Sequence, residues 1–254
     1  MEDNSFYVLC PSNASTDLFE ENNPASFKIS VPKRIHLQGQ YEVGLVEIQY
    51  PVTWDTFHKP IDYRIKVQSS EGNAGTAHLT QTKYDSANEL VTEICFKLGL
   101  ALNKASDFYR DAFVLDFLSN RVIYNVQKYN IEVRLSSQVI EVLGLQERAW
   151  IARDGTGNYP PDHTNGFNAL YVYCNVVQPQ IVGNVYAPLL RTVGINNEKR
   201  GDLVQRLYDQ PHYVPVNTDE LSIIEINIKD DTGQNISFAS GKVICKLHFR
   251  QKLV

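Results

Sequence analysis

Residues 220–230, ELSIIEINIKD, alternate with a period of two: Ile224, Ile226 and Ile228 share one parity, and Glu225, Asn227 and Lys229 the other. That is the pattern of a strand with one face in a core and the other in water. It recurs at 243–249, where Val243, Cys245, Leu247 and Phe249 oppose Lys246, His248 and Arg250. It recurs again at 168–177, where Leu170, Val172, Cys174 and Val176 oppose Tyr171, Tyr173 and Asn175. A Gln-Pro-Gln step and a Gly-Asn pair then break the run before a second short apolar run that ends in Arg191. Half-buried strands in this number find a stable partner in a second sheet packed face to face.

The first sixty residues use the same vocabulary. Strands are expected at 5–10, ended by Pro11, and at 26–31, ended by Pro32. Residues 41–50, YEVGLVEIQY, carry Val43 and Leu45 on one parity but Val46, Ile48 and Tyr50 on the other. A parity change inside one strand requires a β-bulge or burial on both faces. Pro51 closes this strand, and Thr53, Trp54, Phe57 and His58 form an aromatic exit loop.

The middle of the chain differs. Strands at 62–68 and 76–82 flank a Ser-Ser-Glu-Gly-Asn turn. Ser86 and Glu89 then form a capping box for a helix in which Ala87, Leu90, Val91, Ile94, Leu98 and Ala101 recur at helical spacing. A hairpin over 112–127 turns at Ser119-Asn120-Arg121, a strand follows at 131–135, and Ser136 or Ser137 caps a short helix that Gly144 stops. The order is β-β-α-β-β-β-α. Residues 146–166 are rich in Gly, Asn, Asp and Pro and are expected to be loop.

The fold expected is therefore mainly β: one β-sandwich interrupted by an inserted α+β domain. Its N-terminal part is 1–60, the insertion 61–146, a linker loop 147–166 and the C-terminal part 167–254. A chain of 254 residues has ample volume for such a core.

Catalytic vocabulary is missing. The histidines His36, His58, His78, His163, His212 and His248 stand alone, without a His-x-His or His-Glu-x-x-His pair. Asp230 and Asp231 run into Thr232-Gly233, a turn setting. Asp154-Gly-Thr-Gly is a single copy and is expected to be a flexible loop. Cys10, Cys95, Cys174 and Cys245 sit in apolar runs far apart, as reduced core residues do. No metal, cofactor or catalytic residue is expected. A formal charge of -5 gives no reason to expect direct nucleic-acid binding, and the clusters Lys33, Arg34, His36 and Lys246, His248, Arg250, Lys252 are expected to be solvated strand faces or loops. Neither a secretory leader nor a membrane-spanning run is expected.

What the sequence offers instead is tyrosine. Tyr50, Tyr159, Tyr173, Tyr186, Tyr208 and Tyr213 fall at loops and strand ends, and tyrosine supplies contact area with a polar tip. YEVGLVEIQYPVTW at 41–54, the segment 170–191, and the closing block from PHYVPV at 211–216 to Gly241-Lys-Val together resemble the minor capsid (penton) protein of Polinton/Maverick elements and adintoviruses. The resemblance covers both β-rich ends and, more loosely, the middle.

It implies a single jelly roll that assembles as a homopentamer at the vertices of an icosahedral double-stranded DNA virus, beside a double-jelly-roll major capsid protein. The protein would reside in the virion after assembly in the host cytoplasm or nucleus. Tyr50, Pro51, Trp54, Tyr171, Tyr173, Val182, Tyr186 and Arg191 are the residues expected at structural or intersubunit contacts. The alternative is an attachment module in which the insertion or the tyrosine-rich loops bind a host receptor or glycan.

Overall fold

The computed structural model describes residues 5–54, 63–80, 84–146, 150–162, 168–195, 198 and 201–252. Phe57, His58 and His163 lie outside them. The chain opens with β1 (Ser5–Pro11), β2 (Ser26–His36) and β3 (Tyr41–Pro51). It continues through β4 (Arg64–Ser69), β5 (Ala74–His78), α1 (Ala87–Ala101), β6 (Phe113–Asp116), β7 (Arg121–Tyr124), β8 (Ile131–Arg134), α2 (Ser137–Val142) and β9 (Gly155–Thr156). It closes with β10 (Ala169–Cys174), β11 (Gln180–Val182), β12 (Val185–Ala187), β13 (Leu189–Gly194), β14 (Leu203–Leu207), β15 (Tyr213–Pro215), β16 (Glu220–Lys229) and β17 (Ile244–Gln251). Two compact units result, Met1–Trp54 with Phe167–Val254, and Asp55–Gly166.

The first unit is a jelly roll. One sheet has the order β1-β17-β3-β14, with β15 also on β3, and the other β13-β10-β16-β2; every pairing is antiparallel. The chain changes sheet at each step from β1 to β2 to β3 to β10, and again from β13 to β14 to β16 to β17. This is the interleaved order of two Greek keys. The second unit occupies the connection between β3 and β10.

The alternating residues do what their parity requires. Ile224, Ile226 and Ile228 of β16, Cys245, Leu247 and Phe249 of β17, and Leu170, Val172 and Cys174 of β10 are all buried in one core. Each buried aliphatic side chain of this size contributes about 1.5–3 kcal/mol. In β3 the parity change is a β-bulge: Leu45 pairs Leu247 and Glu47 pairs Lys246, which leaves Val46 as the extra residue. The bulge returns Ile48 and Tyr50 to the face that Val43 and Leu45 already occupy, and all four are fully buried.

Several expectations are corrected. Pro32 does not end its strand. β2 runs through it to His36, because Ile35 pairs Leu221 while Ser30 pairs Ile223, so residues 31–34 bulge out against Ser222. β2 is the outer strand of its sheet, where a missing N–H costs no ladder bond. Trp54 is not in a free exit loop; it bridges to Phe238 and packs on it with ring centroids 6.1 Å apart. The run ending in Arg191 is a hairpin, β11 and β12, followed by a strand that continues to Gly194.

In the second unit α1 begins at N-cap Ser86, whose hydroxyl accepts from the Glu89 N–H at 3.3 Å. The Glu89 carboxylate reaches back one residue further than a capping box requires, to the Asp85 N–H at 2.8 Å. Ser136 rather than Ser137 caps α2. The helices and two three-stranded sheets, β5-β4-β8 and β6-β7-β9, enclose a second core that includes Leu90, Ile94, Leu98, Phe113 and Leu143.

Within the stretch expected to be a linker loop, the described residues 150–162 are structured: Ile151 is buried and exchanges backbone hydrogen bonds with Val133, and β9 pairs β7. Asp154 is tied down as well, accepting from the Gln127 N–H at 2.8 Å while its own N–H donates to the Gln127 amide oxygen. Glycines and asparagines made this stretch look unstructured, but backbone pairing needs no side-chain pattern.

Glu93, on the buried flank of α1, accepts from the Thr80 N–H at 2.8 Å, the Thr80 hydroxyl at 2.6 Å and the Tyr84 hydroxyl at 2.6 Å, with Lys97 Nζ at 3.7 Å. Burial acts to raise its carboxyl, but these hydrogen bonds and Lys97 outweigh it and hold the group below the ordinary value of 4.5. A carboxyl depressed in the folded state stabilises at neutral pH, and that contribution is lost as pH falls through the depressed value. Glu93→Gln is expected to destabilise the protein by about 1–3 kcal/mol at pH 7. The gap between variant and native protein should narrow below pH 4.5. Urea melts at pH 7 and pH 3.5 check it; a gap that stays constant across that range contradicts the assignment.

Candidate functional site

Among the described residues no group of three or more His, Cys, Asp or Glu is placed to hold a metal. Asp230 is a turn anchor: its buried carboxylate accepts from the Thr232 N–H and hydroxyl and the Gln234 N–H at 2.7–2.9 Å. The four cysteines are buried and free. Burial pushes the Cys95 thiol up to about 11 and the Cys174 thiol up to about 12, so both are protonated at neutral pH.

The sequence-expected contact residues divide into three groups. Tyr50, Pro51 and Trp54, expected at structural or intersubunit contacts, are buried in the chain's own core. Tyr50 is wholly enclosed; its hydroxyl donates to the Glu198 carboxylate at 2.9 Å, and Glu198 pairs with Arg206. Burial and that carboxylate push the Tyr50 hydroxyl well up, which keeps it a donor. Arg191 pairs Val172, and its guanidinium lies 3.5 Å over the Tyr208 ring; its Nη1 is buried without a hydrogen-bond partner.

Tyr171 and Tyr173 form the second group, half-buried on the outer face of the second sheet. Tyr173 lies opposite Asn227, with Lys229 Nζ 5.8 Å from its ring centroid. The third group is the hairpin of β11 and β12. Gly183 at φ 62 opens its two-residue turn, the conformation a II′-type turn demands at that position. Val182 faces Val185 across the strands and Ile181 faces Tyr186, and Ile181, Val185 and Tyr186 are all exposed.

A fourth surface was missed. The two outer strands of the first sheet present Tyr7 and Leu9 from β1 and Leu203 and Leu207 from β14, all exposed. Across the same face runs a ladder of rings and charges. His248 stacks on Tyr7 at 4.5 Å, its Nδ1 is 2.7 Å from the Tyr213 hydroxyl, Arg250 lies 3.5 Å over Tyr213, and Arg250 pairs Glu42. The alternation in LVQRL at 203–207 could have flagged a strand, but not which parity faces out.

No protein-family model matches the chain, and neither does any curated protein sequence. Solved structures do match. The chain is similar to the mavirus penton protein, at 11% identity and a TM-score of 0.56, over 98% of this chain and 100% of that one. It is similar to a chain of the Sputnik virophage, at 12% identity and a TM-score of 0.55, over 99% of each. The likeness is of fold, and it spans the sandwich and the insertion alike.

Proposed function

We propose that this chain is a penton, a minor capsid protein that assembles as a homopentamer and closes the vertices of an icosahedral double-stranded DNA virus or Polinton-like element. The observation that carries the reading is the end-to-end likeness to the mavirus penton protein, in which neither chain has a substantial part left over. A shared sandwich alone would leave many functions open, since one fold hosts many. Apolar and aromatic side chains held out to solvent on the sheet edges and the β11–β12 hairpin support the same reading.

In this role the protein does no bond chemistry. Its work is to bury surface against neighbouring copies and against a double-jelly-roll major capsid protein, so it resides in the virion after assembly in the host cell. The mild net charge of -5 suits a shell component that does not neutralise packaged DNA.

The mass of the purified protein in solution tests the homopentamer. The expected species is five times the 28.9 kDa of one chain, in exchange with monomer on dilution. A monomer at every concentration and salt condition would count against the reading.

A further inference from the structure

In the second unit, the end of β4 and the starts of β5 and β8 enclose a cleft of about 410 Å³. That volume is within the range of small-ligand sites, but the lining is not the apolar one such sites usually have. Gln68, Ser69, Asn73, Gln127, Asn130 and Glu132 face it: four carboxamides, a hydroxyl and a single carboxylate, with no Lys, Arg or His in the lining.

Backbone bonds hold the walls, so the side chains need not. The turn after β4 reverses at Gly72, φ 88, with the Ser69 N–H donating to the Asn73 carbonyl at 2.7 Å. Its Ser70 N–H donates to the Asn130 carbonyl at 3.0 Å, and Asn130 itself takes the left-handed conformation at φ 51. Gln127 is fixed from the other side by Asp154, through its backbone N–H at 2.8 Å and its amide oxygen at 3.3 Å. The Asn73 and Asn130 amides and the Gln127 Nε2 make no hydrogen bond among the described residues. Gln68 donates to Glu132 Oε2 at 2.6 Å, which leaves the other carboxylate oxygen and the Gln68 carbonyl free to accept.

The donor set selects a ligand class. A carboxamide both donates and accepts, as a hydroxyl does, so neighbouring hydroxyls on one ring can each be matched. A phosphate, sulfate or sialate would meet Glu132 with no cation in the lining to offset it. An apolar ligand would strip water from these amides and leave them unpaired.

We propose that this cleft binds a neutral saccharide, with the Asn73, Gln127 and Asn130 amides donating to its hydroxyls and Glu132 accepting from them. The proposal goes beyond the penton reading and does not depend on it. No aromatic ring lines the cleft to stack on a sugar face, so hydrogen bonds carry the affinity. The expected dissociation constant is on the order of 1 mM per site.

Saturation-transfer NMR on the full chain tests it, with the methyl glycosides of glucose, galactose, mannose, fucose and N-acetylglucosamine as neutral probes and sialyllactose and glucose 6-phosphate as charged ones. At least one neutral glycoside should bind, and the charged probes should not. Asn73→Ala with Asn130→Gly removes two amides while keeping a residue at 130 that accepts the left-handed backbone. Ala152→Trp fills the cleft from an exposed position without removing a hydrogen-bonding side chain. Each variant should weaken binding at least about 10-fold and keep the native melting curve. No glycoside bound at about 20 mM, 20-fold above the expected constant, would overturn the site. Binding that either variant retains in full would also overturn it, and a charged probe bound as tightly as the neutral ones would overturn the ligand class.

Discussion

Phe249→Ala is expected to destabilise the jelly-roll unit by about 3–5 kcal/mol, the range for deleting a buried phenylalanine from a packed interior. Phe249 lies on β17, the strand between β1 and β3, and is registered against Phe6 on one side and Val43 on the other. It is fully buried, and its ring stacks on Phe6 with centroids 5.0 Å apart and planes 4° from parallel. The alanine variant removes that stack and opens a void between strands that the bulged β3 cannot close without moving Val43 and Leu45. A cost of 3 kcal/mol or more should lower the urea midpoint by at least about 1 M at an m-value near 3 kcal/mol/M. Phe117→Ala, at a residue 79% exposed, should change stability by less than about 0.5 kcal/mol. Equal effects from the two would mean that Phe249 is not in the core.

Gly144→Ala is expected to cost on the order of 3 kcal/mol in the second unit, from two sources. Gly144 ends α2 at φ 66, a left-handed conformation that an alanine holds only at about 1–2 kcal/mol. A Cβ there would also lie 2.2 Å from the Tyr159 carbonyl oxygen, which is backbone and cannot rotate away. The loop carrying Tyr159 is held in place by the Tyr159 N–H to the Gly144 carbonyl and the Asp162 N–H to the Val142 carbonyl. Relieving the clash therefore pulls apart the contact that closes this unit. Thermal unfolding of the variant checks it, and an unchanged melting temperature would contradict the close approach.

Much of the architecture was legible because alternation is a direct consequence of strand geometry. Ile224, Ile226 and Ile228 could only face one way together, and of the two readings that the parity break in 41–50 left open, a bulge or burial on both faces, the β3–β17 register displays the bulge. The order of elements in the insertion followed from Ser86, Glu89 and Gly144, residues whose local chemistry marks helix ends. Pairing that depends on backbone alone was not legible: Gly155 and Thr156 carry no strand pattern, yet β9 completes a sheet.

The contact residues were legible only in part, for a related reason. Tyr50 has the composition of an interface residue, but its partner Glu198 is far away in sequence, and the sequence holds no sign that the two meet inside the fold. Conversely, nothing in the sequence singled out Leu203 and Leu207, and only the register with β3 shows that Val204 and Arg206 turn inward and the two leucines outward. Whether an apolar residue points into its own core or toward a neighbour is decided by the sheet edge it lies on, and edges exist only once the fold has closed.

The most direct test of the proposed vertex role is a cryo-EM reconstruction of particles assembled from this protein and a double-jelly-roll major capsid protein. The account predicts five copies of the jelly roll around each fivefold axis and none in the faces. Closed particles that lack the protein at their vertices, or carry it elsewhere in the shell, would contradict it.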